Sequence, residues 1–107
     1  MSVPQLEELQ LLHQNICQAV GDPKRIQILY ALHEHPSNVT ALAQALSMPQ
    51  PTTSRHLAIL RERGLVIAER NGTSIMYRIG ETRIIEILDV MREMMRDWIG
   101  KQVIIME

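Results

Sequence analysis

The sequence predicts a mainly α fold, a winged helix-turn-helix of about five helices and a two-stranded β-wing. Three observations carry this. Two short helical stretches, Thr40 to Leu46 and Pro51 to Arg63, are separated by a turn over Ser47 to Gln50, which is helix-turn-helix spacing. Two alternating stretches, Leu65 to Arg70 and Thr73 to Ile79, flank Asn71-Gly72, a strong short hairpin signal because a type I′ turn needs positive φ at both central residues. The second helix of the pair opens Gln50-Pro51-Thr52-Thr53-Ser54-Arg55-His56. That crowd of polar donors and acceptors suits a helix end that meets base edges in a DNA groove.

The other elements follow in chain order. Gln5 to Val20 reads as a first helix, with Leu6, Leu9, Leu12 or His13, Ile16 and Val20 at helical spacing. Gly21 ends it. Asp22-Pro23 starts the second helix as an N-cap followed by proline at the first helical position. This helix runs to about Glu34, with Ile26, Leu29, Tyr30 and Leu32 or His33 inward, and stops at His35-Pro36, because the residue before a proline is pushed out of the helical region. Asn38 or Thr40 can cap the third helix, whose buried side is Leu42, Ala45 and Leu46. In the fourth, Thr53, Leu57, Leu60 and Gly64 share one face, with Thr52, Arg55, His56, Ile59 and Arg63 roughly opposite. On the second strand Ile75, Tyr77 and Ile79 alternate with polar or exposed positions. A last helix spans roughly Glu81 to Ile99, with an apolar stripe of Ile84, Ile87 or Leu88, Met91, Met94 or Met95, and Trp98.

Composition narrows the function classes. A chain of 107 residues is one domain of modest core, and 46% hydrophobic content is too high for disorder. Phenylalanine is absent and methionine occurs 7 times, so Leu, Ile and Met must do most of the packing. The longest apolar runs are far shorter than a bilayer span, and the start Met1-Ser2-Val3-Pro4 is no signal peptide. A single cysteine, Cys17, rules out an internal disulfide. A cytoplasmic location with no membrane partner is expected.

The net charge of -1 does not suggest a nucleic-acid binder, but its distribution does. Between Gln50 and Gly80, Arg55, Arg61, Arg63, Arg70 and Arg78 stand against Glu62 and Glu69, a balance of +3. Residues 1–49 and 81–107 each balance to -2. Positive charge therefore gathers where the groove-reader lies. A core built from helices two to four and the wing leaves the apolar stripes of the first and last helices uncovered. A symmetric dimer covers them. Residues 1–20 and 81–107 are then dimerisation elements around a helix-turn-helix and wing over 38–79, and the dimer suits a palindromic operator in double-stranded DNA, whose major grooves recur about every 34 Å.

Two separated motifs carry a family resemblance. Gly21-Asp22-Pro23-Lys24-Arg25-Ile26-Gln27-Ile28-Leu29 and the run from Gln50 to Val66 resemble, in the same order, the second-helix opening and the recognition helix of ArsR/SmtB-type winged-helix repressors. The likeness covers about residues 15–95 and implies a homodimeric, operator-binding repressor released by an effector. Metal-sensing residues of that family are not matched. Its Cys-x-Cys positions resemble Asn38 and Thr40, which supply no thiolate. Its last-helix Asp-x-His resembles Asp89 followed by Met91, with Gln102 and Ile105 near the later ligand positions. No metal or other cofactor is expected, and the effector stays open.

Gln50, Thr52, Thr53, Ser54, Arg55 and His56 form the expected DNA-contacting set of the helix, with Ser54 capping or meeting phosphate. Arginine suits guanine, glutamine suits adenine, and a threonine methyl can touch that of thymine. Arg70, Asn71 and Arg78 belong to the wing, where Arg70 can meet phosphate or a minor groove and Asn71 serves turn geometry. Arg25 can reach a phosphate or form a surface ion pair. His13 and Cys17 sit four apart on one face, a metal-ligand spacing more often found in simple packing. The methionine cluster with Trp98 reads as a dimer interface, or as a hydrophobic effector pocket. There is no phosphate loop, no nucleophile-base pair and no paired carboxylates outside the charged last helix, so an enzyme is not expected. A winged helix that holds only protein partners is the alternative.

Overall fold

Asp22, Asn38 and Gly64 set the limits of the three central helices in a computed structural model that describes residues 2–106, with side chains described through residue 102. The first helix, α1, spans Leu6–Leu12 and passes directly into a π-helical turn over His13–Cys17, closed by the Gln18 N–H on the His13 carbonyl at 2.9 Å. The uniform α-helix expected to Val20 is thus widened in its second half. His13 and Cys17 are the first and last residues of this widened turn.

Helix α2 (Pro23–Glu34) starts as the sequence indicates, with Asp22 accepting the Lys24 N–H at 2.8 Å and proline in the first turn. Helix α3 (Val39–Ala45) is capped by Asn38, whose side-chain oxygen accepts the Ala41 N–H at 2.8 Å. Helix α4 spans Gln50–Glu62. Both α3 and α4 close the same way. The residue after the cap is left-handed, Ser47 at φ 51° and Gly64 at φ 76°. Met48 N–H then reaches back to the Ala43 carbonyl at 2.9 Å, and Leu65 N–H to the Leu60 carbonyl at 3.0 Å. These are Schellman closures, and they fix the angle at which the chain leaves each helix. Glycine takes this conformation without strain; serine does not.

The wing pairs β1 (Val66–Asn71) with β2 (Ser74–Ile79) antiparallel. Its turn differs by one residue from expectation. Asn71 pairs with Ser74, so the loop is Gly72-Thr73, and Gly72 alone has positive φ, at 66°. Glycine at the first central position makes the II′ arrangement rather than I′. Ser37 adds a one-residue third strand, exchanging two backbone hydrogen bonds with Tyr77 at 2.8 and 3.0 Å. Tyr77 and Ile79 pack on the core, whereas Ile75, on the same face, lies beyond it toward the tip and is 43% exposed.

The core gathers Ala19, Ile28, Leu29 and Leu32 from the first half, Leu42 and Met48 from the turn region, Leu57, Leu60, Leu65 and Val66 from α4 and β1, and Ile84, Ile85 and Leu88 from the last helix. Ile28 and Ala43 are buried where the sequence pointed to Ala45, which is exposed. Burying such a side chain contributes about 1.5–3 kcal/mol each relative to leaving it wet.

Helix α5 covers Arg83–Met106, well past the expected end at Ile99. It runs through Gly100, although glycine inside a helix costs about 1 kcal/mol. The side chains of the apolar run Val103 to Met106 lie outside the described residues. Tyr30 ties α5 to α2 by donating its hydroxyl to Asp89 at 2.6 Å, with the Arg92 guanidinium 5.0 Å above its ring. Burial, followed by the Asp89 carboxylate, pushes the Tyr30 hydroxyl above its ordinary pKa. The other side of the helix and its far end are uncovered: Ile87, Val90, Met91, Met94, Met95, Trp98 and Ile99 are exposed, as are Leu6, Leu9, Leu11 and Leu12 of α1. The radius of gyration, 16.5 Å, exceeds the roughly 13 Å of a compact chain of this length. No helix among the described residues is long and apolar enough to cross a membrane.

Replacing Ser47 with glycine removes a left-handed serine at a helix closure and is expected to raise stability by up to about 1 kcal/mol. A chemical-denaturation midpoint that falls in Ser47→Gly contradicts the strain assigned to this turn.

Candidate nucleic-acid interface

Helix α4 has one dry face and one wet one. Leu57 and Leu60 are fully buried, and so is Thr53, whose hydroxyl donates to the Pro49 carbonyl at 3.0 Å. This backbone bond ties down the first turn of α4. On the other side Gln50, Ser54, Arg55, Ala58 and Arg61 are exposed, with Thr52 and Ile59 half-buried. The Thr40 hydroxyl donates to the Gln50 side-chain oxygen at 3.4 Å.

Two members of the expected contact set are therefore corrected. Thr53 is 0% exposed and His56 is 5% exposed, so both belong to the interior. Thr53 falls on the same helical face as Leu57 and Leu60. His56 was expected opposite that face, yet α2 lies against it and supplies a partner: Arg25 Nη1 is 3.2 Å from His56 Nδ1. Burial pushes the His56 imidazole below its ordinary pKa; the Asp22 carboxylate pulls the other way, while Arg25, Arg55 and Lys24 add to the downward push.

Arg25 is the residue the sequence reading undervalued. The expected ion pair is present, with Asp22, but it is the least of Arg25's contacts. Its Nε donates to the Ala19 carbonyl at 2.7 Å and its Nη2 to the Gln18 carbonyl at 3.0 Å. These carbonyls lie just past the end of the first helix, where the Gln18 carbonyl also accepts the Gly21 N–H at 3.3 Å. Asp22 stands 3.9 Å away on the same guanidinium. Partial burial works against the Asp22 charge, yet its carboxyl is held below the usual range, chiefly by the Lys24 N–H and then by nearby cations. The only local signal was the Asp22-Pro23-Lys24-Arg25 run, which says nothing of the carbonyls Arg25 reaches.

On the wing Arg70 and Asn71 are exposed near the turn. Arg78 is exposed too, but Glu69 engages it at 2.7 and 2.9 Å across the sheet. Arg55 and Arg70 have no carboxylate partner among the described residues. The surface that remains is Gln50, Thr52, Ser54 and Arg55 at one end of α4, with Arg70 and Asn71 on the ribbon that follows. Arg78 lies behind them in an ion pair. This arrangement offers bidentate and single donors, a short hydroxyl row and positive charge without a cavity.

The residues at positions resembling metal ligands have other employment here. Asn38 caps α3 and Asp89 accepts from Tyr30. Among the described residues no three His, Cys, Asp or Glu side chains converge in a way that could hold a metal ion.

Comparison with known proteins gives this geometry a lineage. Residues 22–68 match the pattern of the bacterial regulatory proteins of the arsR family. The chain is 42% identical over 72 residues to the HTH-type transcriptional regulator NmtR of Mycobacterium tuberculosis, a stretch that is 67% of this chain and 60% of that protein. It is 41% identical over 80 residues to an HTH-type transcriptional regulator of Methanocaldococcus jannaschii, 74% of this chain and 90% of that one. The homodimeric winged helix-turn-helix DNA-binding domain from Mycobacterium bovis superposes with a TM-score of 0.75 at 29% identity, over 92% of this chain and 94% of that one. The chain belongs to the ArsR family of bacterial regulatory proteins.

Proposed function

We propose that the protein is a cytoplasmic, homodimeric transcriptional repressor that binds a short palindromic operator in double-stranded DNA and is released by an effector. One observation carries the reading: the wet end of α4, inside the family-matched segment, and the arginine-bearing wing that follows it are exposed and hold the chain's concentration of positive charge. In this reading Gln50, Thr52, Ser54 and Arg55 meet base edges and phosphates in the major groove. Arg70 and Asn71 hold the flanking backbone. Arg78 joins them only by leaving Glu69. Catalysis has no part in it.

The apolar faces of α1 and α5 are the proposed dimer surface, formed by residues 1–20 and 81–107 around the reading body at 38–79. Trp98 is 59% exposed and Met94 is 64% exposed, which a stable soluble chain covers most simply with a second copy. The Mycobacterium bovis neighbour, described as homodimeric, supports this assembly. Two heads joined in this way gain affinity from one another without any new contact to DNA. Repression follows if the occupied site excludes the transcription machinery. Release requires an effector with different affinity for two dimer arrangements.

Selecting bound duplexes from a random pool tests the reading and returns the half-site spacing. On the selected duplex, the Arg55→Ala, Arg70→Ala double variant should lose about a hundredfold or more in affinity and show a flatter dependence on salt. Unchanged affinity in that variant rejects groove reading. Trp98→Glu should convert the dimer to a monomer in sedimentation and weaken duplex binding by about a hundredfold. A Trp98→Glu protein that sediments as a dimer rejects α5 as the joining surface.

A further inference from the structure

The recognition helix and the end of the first helix are bridged by a largely buried guanidinium, that of Arg25. Arg25 holds the carbonyls of Gln18 and Ala19 on one side, at 3.0 and 2.7 Å, and approaches His56 Nδ1 at 3.2 Å on the other. The Arg25 side chain is only 14% exposed. A second link, Arg63 Nη1 to Asn15 Oδ1, is exposed and longer, at 3.4 Å. A guanidinium has donors and no acceptor. The contact with His56 therefore needs the lone pair of Nδ1, which places the imidazole proton on Nε2 and leaves the ring neutral. A second proton on the ring removes that acceptor and sets an imidazolium against a guanidinium. Exposed surface could screen such a pair; this buried one has little water to do so.

We propose that Arg25 and His56 form a proton-gated clamp between the first helix and the recognition helix, closed while His56 is neutral and opened when it gains a proton. The proposal rests on the reading of α4 as the DNA-contacting helix. The clamp spans one joint between the proposed dimer surface and the reading head, since the first helix belongs to the former and α4 to the latter. Arg25 and His56 are positioning residues: both act on DNA through the seating of α4.

The charged groups acting on His56 are Asp22, Lys24 and Arg25 from α2 and Arg55 from α4 itself, three cations against a carboxylate. Burial comes first and the cations reinforce it, so in the folded chain the ring sits below its ordinary 6.5. The unfolded chain then takes up the proton first as pH falls. The stability that neutral His56 contributes is whole above about pH 6.5 and is lost as pH drops toward the lower folded-state value.

The test compares the full chain with His56→Asn, whose side-chain oxygen offers an acceptor close to the Nδ1 position and takes no proton. Affinity for the selected duplex is measured at pH 8 and pH 5 at fixed salt. At pH 8 the two proteins should bind alike. At pH 5 the wild type should lose at least about fivefold relative to His56→Asn, the low end of typical coupling between sites. The variant serves as reference because His13, His33 and His35 gain charge in both proteins. A ratio that stays constant with pH overturns the clamp. If neither protein binds DNA at pH 8, the DNA reading fails and the clamp is judged by NMR on the wild type alone, which also decides the matter if His56→Asn does not fold. There the expected result is an Nε2-protonated ring at pH 8, and Gln18 and Ala19 carbonyl shifts that move with the His56 titration. Carbonyl shifts that ignore that titration overturn it.

Discussion

The seam that holds α4 to the body governs the rest of the molecule. Thr53, Leu57 and Leu60 are buried along one side of that helix, and the Thr53 hydroxyl is occupied by the Pro49 carbonyl. Because these positions recur every three or four residues, the outward side is fixed by default. Gln50, Ser54 and Arg55 face water because their neighbours in sequence cannot. The Schellman closures at Ser47 and Gly64 then set where the chain enters and leaves this seam. Rigid seating matters for a surface without a cavity. It has no walls to orient a ligand, so precision comes from the backbone beneath it.

A second constraint is surplus. The central core is closed by α2, α3, α4 and the wing, with only the first turns of α5 and the end of the first helix joining it. The apolar residues beyond that point cannot fold back, because α5 is a straight rod of about 36 Å at 1.5 Å per residue. Tyr30, Asp89 and Arg92 fix its departure angle by a hydrogen bond and a stacked cation. The body and the projecting helices thus divide labour. One presents polar chemistry and the other presents grease, and Arg25 joins them.

Much of the architecture was legible because its signals are local. Asp22-Pro23 and Asn38 cap their helices through atoms within three residues, and the Leu57, Leu60 spacing reports its own face. Less was legible where the answer depended on something distant in the chain. His56 looks like a surface polar residue until α2 is laid against it and Arg25 supplies a partner 31 residues away. The hairpin was readable as a hairpin, yet its turn moved by one residue, with Asn71 paired to Ser74 and Gly72 taking the positive φ. Ser37 gave no strand signal, since its bridge to Tyr77 arises only after the wing folds over it. The last helix, expected to end near Ile99, runs on through Gly100. Of the expected contact surface, Gln50, Ser54, Arg55 and the wing tip are exposed, Thr52 is half-buried, and Thr53 and His56 are interior. Which base each would read is not written in side-chain type alone.

The widened turn at His13–Cys17 has a geometric consequence for the N-terminal arm. Each residue of an α-helix advances the azimuth by about 100°, so a turn that closes over five residues instead of four offsets the phase of everything before it. Leu6, Leu9 and Leu12 are therefore aimed on a different bearing from Ile16 and Ala19, which lie against the body. The arm can be steered toward a mate without twisting the anchored end out of its seat, much as a dog-leg in a handle leaves the blade where it was.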